Sequence, residues 1–145
     1  MLTERSSTVF SAVDRIPPQN LDAEQAMLGS LLVDRELVPI ISEIVQQSDF
    51  YAPHHATIYE AIIALYERGE PIDKVSVAEE LRRRKLLDDV GGVEFISQLL
   101  NTVPTAASAE YYAKVVAEKA ILRSLITAGG RISILGFEQP EDVEE

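Results

Sequence analysis

The chain has 145 residues, a single-domain length at which roughly 70 % of the surface exposed when unfolded can be buried. Apolar residues make up 46 % and charged ones 26 %, which excludes wholesale disorder, and the lack of cysteine excludes disulfides, thiolate metal sites and thiol catalysis while fitting a reducing cytosol. The net charge of −11 disfavours unaided wrapping of DNA or of an anionic membrane, no run of 18 apolar residues offers a span, and residues 1–5 hold no signal core; a soluble, acidic, intracellular globular domain is expected.

Residues 1–19 mix Ser, Thr and charge without period and close on Pro17-Pro18, so a mobile tail is expected there. Asp22 with Gln25 reads as a capping box for a first helix from Ala23 to about Val33, carrying Ala26, Met27 and Leu31. Asp34 reads as the cap of a second helix, with Leu37, Ile40, Ile41, Ile44 and Val45 inward and Pro39 near its start. A third opens at Pro53, carries Ile58, Ile62 and Leu65, and stops at Gly69. Ser76 with Glu79 reads as a box opening a fourth through Val77 and Leu81 to Lys85. Gly91-Gly92 precedes a short helix holding Phe95, Ile96, Leu99 and Leu100, which Pro104 ends.

Beyond Thr105 one long helix is predicted from about Ala107 to Leu135, roughly 40 Å if unbroken, with a bend or break at Gly129-Gly130. Gln139-Pro140-Glu141-Asp142 reads as the start of another helix that stops within a few residues, so the chain is expected to be a piece of something longer. No strand pattern competes, and the fold class is all-α: five to six compact helices followed by the long one.

At 100° per residue the long helix carries a central stripe of Tyr111, Val115, Leu122 and Ile126. Tyr112 and Val116 form one shoulder and Ile121, Leu125 and Ile132 the other, an apolar arc about 200° wide, twice what one core requires. The opposite face is small: Ala109, Ala113, Ala117, Ala120 and Ala128, with Ser124 and Arg131. Two readings stand. The helix is the apolar centre of a bundle, or one shoulder packs on the domain while the other meets a second chain. Burial of four such side chains would yield about 6–12 kcal/mol gross, largely offset by association costs of about 4–15 kcal/mol, so self-association would be weak.

The sequence carries no recognisable reaction centre. No G-x-x-x-x-G-K-[ST] loop is present to cradle nucleotide phosphates. His54 and His55, being adjacent, cannot share a metal as an i,i+4 pair would and read as surface or packing residues. No catalytic, cofactor or metal site is therefore assigned, and the acidic end Glu138–Glu145 lacks calcium-loop spacing. The run Arg82-Arg83-Arg84-Lys85 is either a solvated face paired with Glu79 and Glu80 four residues before Arg83 and Arg84, or a weak contact for displaced single-stranded DNA or an acidic partner.

The stretch Ile16-Pro17-Pro18-Gln19-Asn20-Leu21-Asp22-Ala23-Glu24-Gln25-Ala26-Met27-Leu28-Gly29-Ser30-Leu31-Leu32 resembles the opening signature of DnaB-type replicative helicases. The similarity continues at Asp49-Phe50-Tyr51, His55, Ile58-Tyr59, Gly69-Glu70-Pro71-Ile72-Asp73, Gly91-Gly92, Thr102-Val103-Pro104-Thr105 and Tyr111-Tyr112-Ala113. The resemblance implies the amino-terminal domain of a cytoplasmic, bacterial primosome protein: a helical head at 20–104, then a hairpin whose first arm and truncated second arm fill 105–145. It implies hairpins pairing into dimers, three dimers forming a collar on a hexameric ring, and docking of primase and, in some bacteria, of a helicase loader. It also implies that ATP and Mg belong to a downstream motor and that DNA is met through the full ring, so no enzyme activity is expected here. Tyr111, Tyr112, Val116, Ile121, Leu125 and Ile132 are the expected partner and self-association residues; the competing reading is a single-stranded DNA module built on Arg82, Arg83, Arg84 and Lys85.

Overall fold

The computed structural model describes residues 15–102 and 105–139, and among these the secondary structure is helical throughout: α1 Leu21–Val33, α2 Leu37–Ile44, α3 Pro53–Glu67, α4 Lys74–Arg83, α5 Gly92–Asn101 and α6 Ala109–Glu138, with single 3-10 turns at Gln47–Asp49 and Ala106–Ser108. The expectations for residues 1–14, Pro104 and the helix start at Pro140 lie outside the described residues.

The central helix is α1, not the long one. Met27, Leu28 and Leu31 are wholly buried, and even Glu24 and Ser30 are enclosed, because α3, α5 and α6 all pack around it. The first helix begins two residues earlier than Asp22 suggests. Asn20 holds the extended cap conformation and its Oδ1 accepts from Ala23 N at 2.9 Å, leaving Asp22 in the first turn to face the positive end of the dipole.

Asp34 likewise does not cap α2. Its carboxylate accepts from Glu36 N at 3.0 Å in a turn closed on its own backbone, and α2 starts at Leu37. Val38 and Ile41 then face the core while Ile40 is turned outward. The fourth helix is capped by a box three residues earlier than read: Asp73 accepts from Ser76 N at 2.8 Å and Ser76 Oγ accepts from Asp73 N at 2.9 Å. On the core side, α3 packs on α4 and α4 on α5, burying Ile58, Ile62, Leu65, Val77, Leu81, Ile96 and Leu99 in one cluster with α1.

Helices α3 and α4 end in the same device with different residues. After α3, Gly69 is left-handed (φ +70) and Glu70 N reaches back to Leu65 O at 3.0 Å. After α4, Lys85 takes the left-handed position (φ +62), with Leu86 N on Leu81 O at 2.8 Å and Lys85 N on Arg82 O at 3.0 Å. A side chain with a Cβ is strained there, by about 1–2 kcal/mol. The helix therefore stops short of Lys85, and only the closing bonds and the packing of Leu86 hold the conformation.

That contrast is measurable. Lys85→Gly should raise unfolding stability by about 1 kcal/mol and Gly69→Ala should lower it by a similar amount. Urea denaturation followed by circular dichroism distinguishes them; a stability loss in Lys85→Gly would remove the strain argument.

Candidate interaction surface on the long helix

Thirty residues of unbroken helix make α6 roughly 45 Å long. It runs through Gly129 and Gly130 without the break that two such poor helix formers suggest. The core extends past residue 104 into its first turns, where Ala109, Ala113, Val116 and Ala120 are buried against α1 and α2. One shoulder, Val116 with half-buried Tyr112, packs on the head as the second reading has it, and the small face joins it there. The small face packs inward, because alanines let the helix axes approach closely, and the broad apolar face points out.

The consequence lies beyond Ala120. Ile121, Leu122, Leu125, Ile126, Ile132, Ile134, Leu135 and Phe137 are all exposed, Leu125 at 63 % and Phe137 at 87 %. The arm leaves the head at this point, and no element among the described residues covers it.

Of the residues expected at a partner surface, Tyr111, Ile121, Leu125 and Ile132 are open. Tyr112 is half-buried against the core, its ring edge-to-face with Tyr111 at 5.9 Å between centroids. Val116 is corrected to an interior residue at 1 % exposure, since it lies on the alanine line three residues from Ala113 and four from Ala120.

By length and composition α6 is also apolar enough to cross a membrane, which corrects the expectation that no span is available. Two guanidiniums weigh against that use. Residues 120–137 contain Arg123 and Arg131, and a central arginine costs about 2.5–3.5 kcal/mol to insert. Arg123 is moreover tied to the head: Nη1 donates to Pro18 O at 2.7 Å, Nη2 to Asp49 O at 2.5 Å, and its guanidinium lies 5.6 Å over the Tyr51 ring. Sequence reading passed over Arg123, because nothing in its neighbours marks the backbone carbonyls it grips.

The basic run is occupied within the head. Glu80 is buried and accepts from Arg68 at 2.6 Å, from Arg84 at 2.7 Å and from Arg83, while Arg82 pairs with Glu79 and Arg84 also lies 3.5 Å from Glu60. Glu80–Arg84 follows the expected four-residue spacing; Glu79 instead takes Arg82 at three. Lys85 stands at the left-handed turn.

The two histidines part company. His55 is buried, stacked on Phe95 at 5.8 Å, with Nδ1 2.7 Å from Glu24 Oε1. His54 is partly exposed with its edge toward Phe95; burial first, and then His55, push its pKa down. No group of three metal-ligating side chains occurs among the described residues.

The model of the DnaB-like helicase N terminal domain matches residues 16–118. The chain belongs to that family. It is 45 % identical over 132 residues to the replicative DNA helicase DnaC of Bacillus subtilis and 48 % identical over 130 residues to the replicative DNA helicase DnaB of Mycobacterium leprae. Those alignments cover 91 % and 90 % of this chain but only 29 % and 22 % of the two relatives, so the chain spans about a quarter of their length. The crystal structure of the N-terminal domain of DnaB helicase from Mycobacterium tuberculosis superposes with a TM-score of 0.82 at 49 % identity, covering 84 % of this chain and 88 % of that one. The Helicobacter pylori DnaB N-terminal domain, whose interactions with primase were studied with its structure, shares the fold at 18 % identity with a TM-score of 0.68, covering 80 % and 90 %. The DnaB family match ends at residue 118, so the exposed length of α6 lies just past it.

Arg68 foremost, then Arg84 and Arg83, hold the Glu80 carboxyl down to about 2 from its ordinary 4.5, against the opposing effect of burial. A depressed carboxyl stabilises the fold above its unfolded value, and that contribution disappears as pH falls from 4.5 toward 2. Glu80→Gln should cost about 2 kcal/mol at neutral pH and should flatten the fall in stability between roughly pH 5 and 3. Urea melts across that range provide the check; an unchanged pH slope would show that Glu80 is not the titrating group.

Proposed function

We propose that this chain is a non-catalytic assembly and docking domain of a replicative DNA helicase, with a head at 20–104 and an arm from 105 onward. The observation that carries this reading is the exposed apolar face of α6 beyond Ala120, set outward by the alanine seam. Such a face is stable in water only at low concentration or when covered, and it runs along a rod that a second identical arm can match. Arms from two copies pair, and three such pairs form a collar on a hexameric ring working in the bacterial cytoplasm. ATP and Mg serve the motor part of that ring, DNA passes through the assembled ring, and primase and a loader dock on the collar.

Family membership and the primase work on the Helicobacter pylori domain support the primase part of this reading. For docking, the open positions Tyr111, Ile121, Leu125 and Ile132 are the residues of choice, with half-buried Tyr112 at the edge. The basic run contributes to head stability through Glu79, Glu80 and Glu60, leaving little free charge for single-stranded DNA.

Sedimentation velocity tests the pairing. The weight-average coefficient should rise with concentration into the range of hundreds of micromolar, corresponding to about −5 kcal/mol of association. Leu125→Glu with Ile132→Glu should hold the chain monomeric at unchanged helix content. A parent chain that stays strictly monomeric at those concentrations would contradict the proposal, as would a chain extended through the second arm that fails to bind bacterial primase in calorimetry.

A further inference from the structure

Residues 49–52 sit between two grips that come from opposite sides. From the interior, Glu24 of α1, only 1 % exposed, accepts from Tyr51 N at 2.8 Å and Ala52 N at 3.3 Å, and its Oε1 also meets His55 Nδ1 at 2.7 Å. From the arm, Arg123 takes the Asp49 carbonyl and covers the Tyr51 ring, while its other nitrogen holds the Pro18 carbonyl. A buried carboxylate satisfied by two amides and an imidazole fixes a loop firmly, since each such bond is charge-assisted. One atom is left over: His55 Nε2 is buried with no partner, so the joint is not fully satisfied.

Arg123 also makes the hydrogen bonds from α6 to the head that lie farthest along the helix, and the residues after it are exposed. The fully buried seam before it is alanines and one valine, with Tyr112 and Val115 only partly buried at its edge, so few side chains interlock to resist rocking of the helix. Residues 124–138 extend about 22 Å beyond, so a small rotation at the seam is magnified at the tip.

We propose that Arg123 and Glu24 clamp residues 49–52 from opposite sides and thereby set the angle at which the arm leaves the head. Both are positioning residues. The inference rests on reading α6 as a docking arm, and it makes the interior of the head a determinant of how that arm is presented. Glu24 touches nothing on α6 among its hydrogen bonds, yet it governs the arm through the loop that Arg123 grips.

The cysteine-free sequence allows a direct measurement. Spin labels are placed at Glu67→Cys on the head and Ser133→Cys on the arm, both exposed positions. The labelled chain is diluted with excess unlabelled protein so that only distances within one chain are read by pulsed electron resonance. The parent should give one narrow distance. Arg123→Met and Glu24→Gln should each broaden or shift it at unchanged helix content, and the two together should do no more than one alone. Tyr51→Leu removes only the ring beneath the guanidinium; it should broaden the distance partially, and it decides the matter if Glu24→Gln does not fold. A distribution in Arg123→Met that superimposes on the parent would overturn the proposal, as would additive effects of the two substitutions or no change in Tyr51→Leu. Sedimentation reports separately on arm pairing, so failure of one reading is distinguishable from failure of the other.

Discussion

The close approach of Ala109, Ala113, Val116 and Ala120 to α1 and α2 decides what this protein shows to its surroundings. A helix can bury a wide apolar face or a narrow small one. Here the narrow face is inside, because α1 is already surrounded by large side chains and leaves room only for a helix that comes near. Once that seam forms, helical geometry turns Ile121, Leu125, Ile126 and Ile132 to the outside, in the length of helix that outruns the head. The exposed apolar surface is thus a geometric consequence of how the core closes.

Two kinds of interaction divide the work. The head is held by a continuous apolar cluster and by buried carboxylates that are each fully employed: Glu24 by two amides and His55, Glu80 by three arginines. These networks rigidify the head without creating a reactive group, since every charge in them already faces its partner. The arm contributes little to the head beyond its first turns and has its apolar area free for association. An acidic surface around such a rod discourages indiscriminate aggregation while leaving the rod itself competent to pair.

The all-α class, the helix order and the family were readable from residues alone, because capping residues, glycine stops and the motif beginning at Ile16 punctuate the chain strongly. Errors arose where neighbouring residues compete for one role. Asn20 and Asp22 both suit a cap, and the backbone chose Asn20; Asp73 outcompeted Ser76 for the next helix by taking the extended conformation first. The orientation of α6 was legible only in part: Tyr112 and Val116 lean on the head and Ile121, Leu125 and Ile132 stay open as expected, but the alanines that complete the seam carried no signal. Periodicity measures how much apolar area each face carries, whereas the fold selected the face that fits closely, and only the second depends on what α1 already occupies. Arg123 and Glu24 were invisible for the same reason: apart from His55 and the Tyr51 ring their partners are main-chain groups at 18, 49, 51 and 52, and a backbone amide or carbonyl leaves no mark in the sequence.

The inward alanines and outward aliphatics can be tested by comparing two leucine truncations below the concentration of self-association. Leu28→Ala, in the wholly buried centre of α1, should cost about 2–5 kcal/mol of unfolding free energy, as core truncations do. Leu125→Ala, on the arm, should stay within about 0.5 kcal/mol of the parent. A penalty for Leu125→Ala as large as that for Leu28→Ala would mean that the rod is sealed against its own head, and the exposed face would not exist.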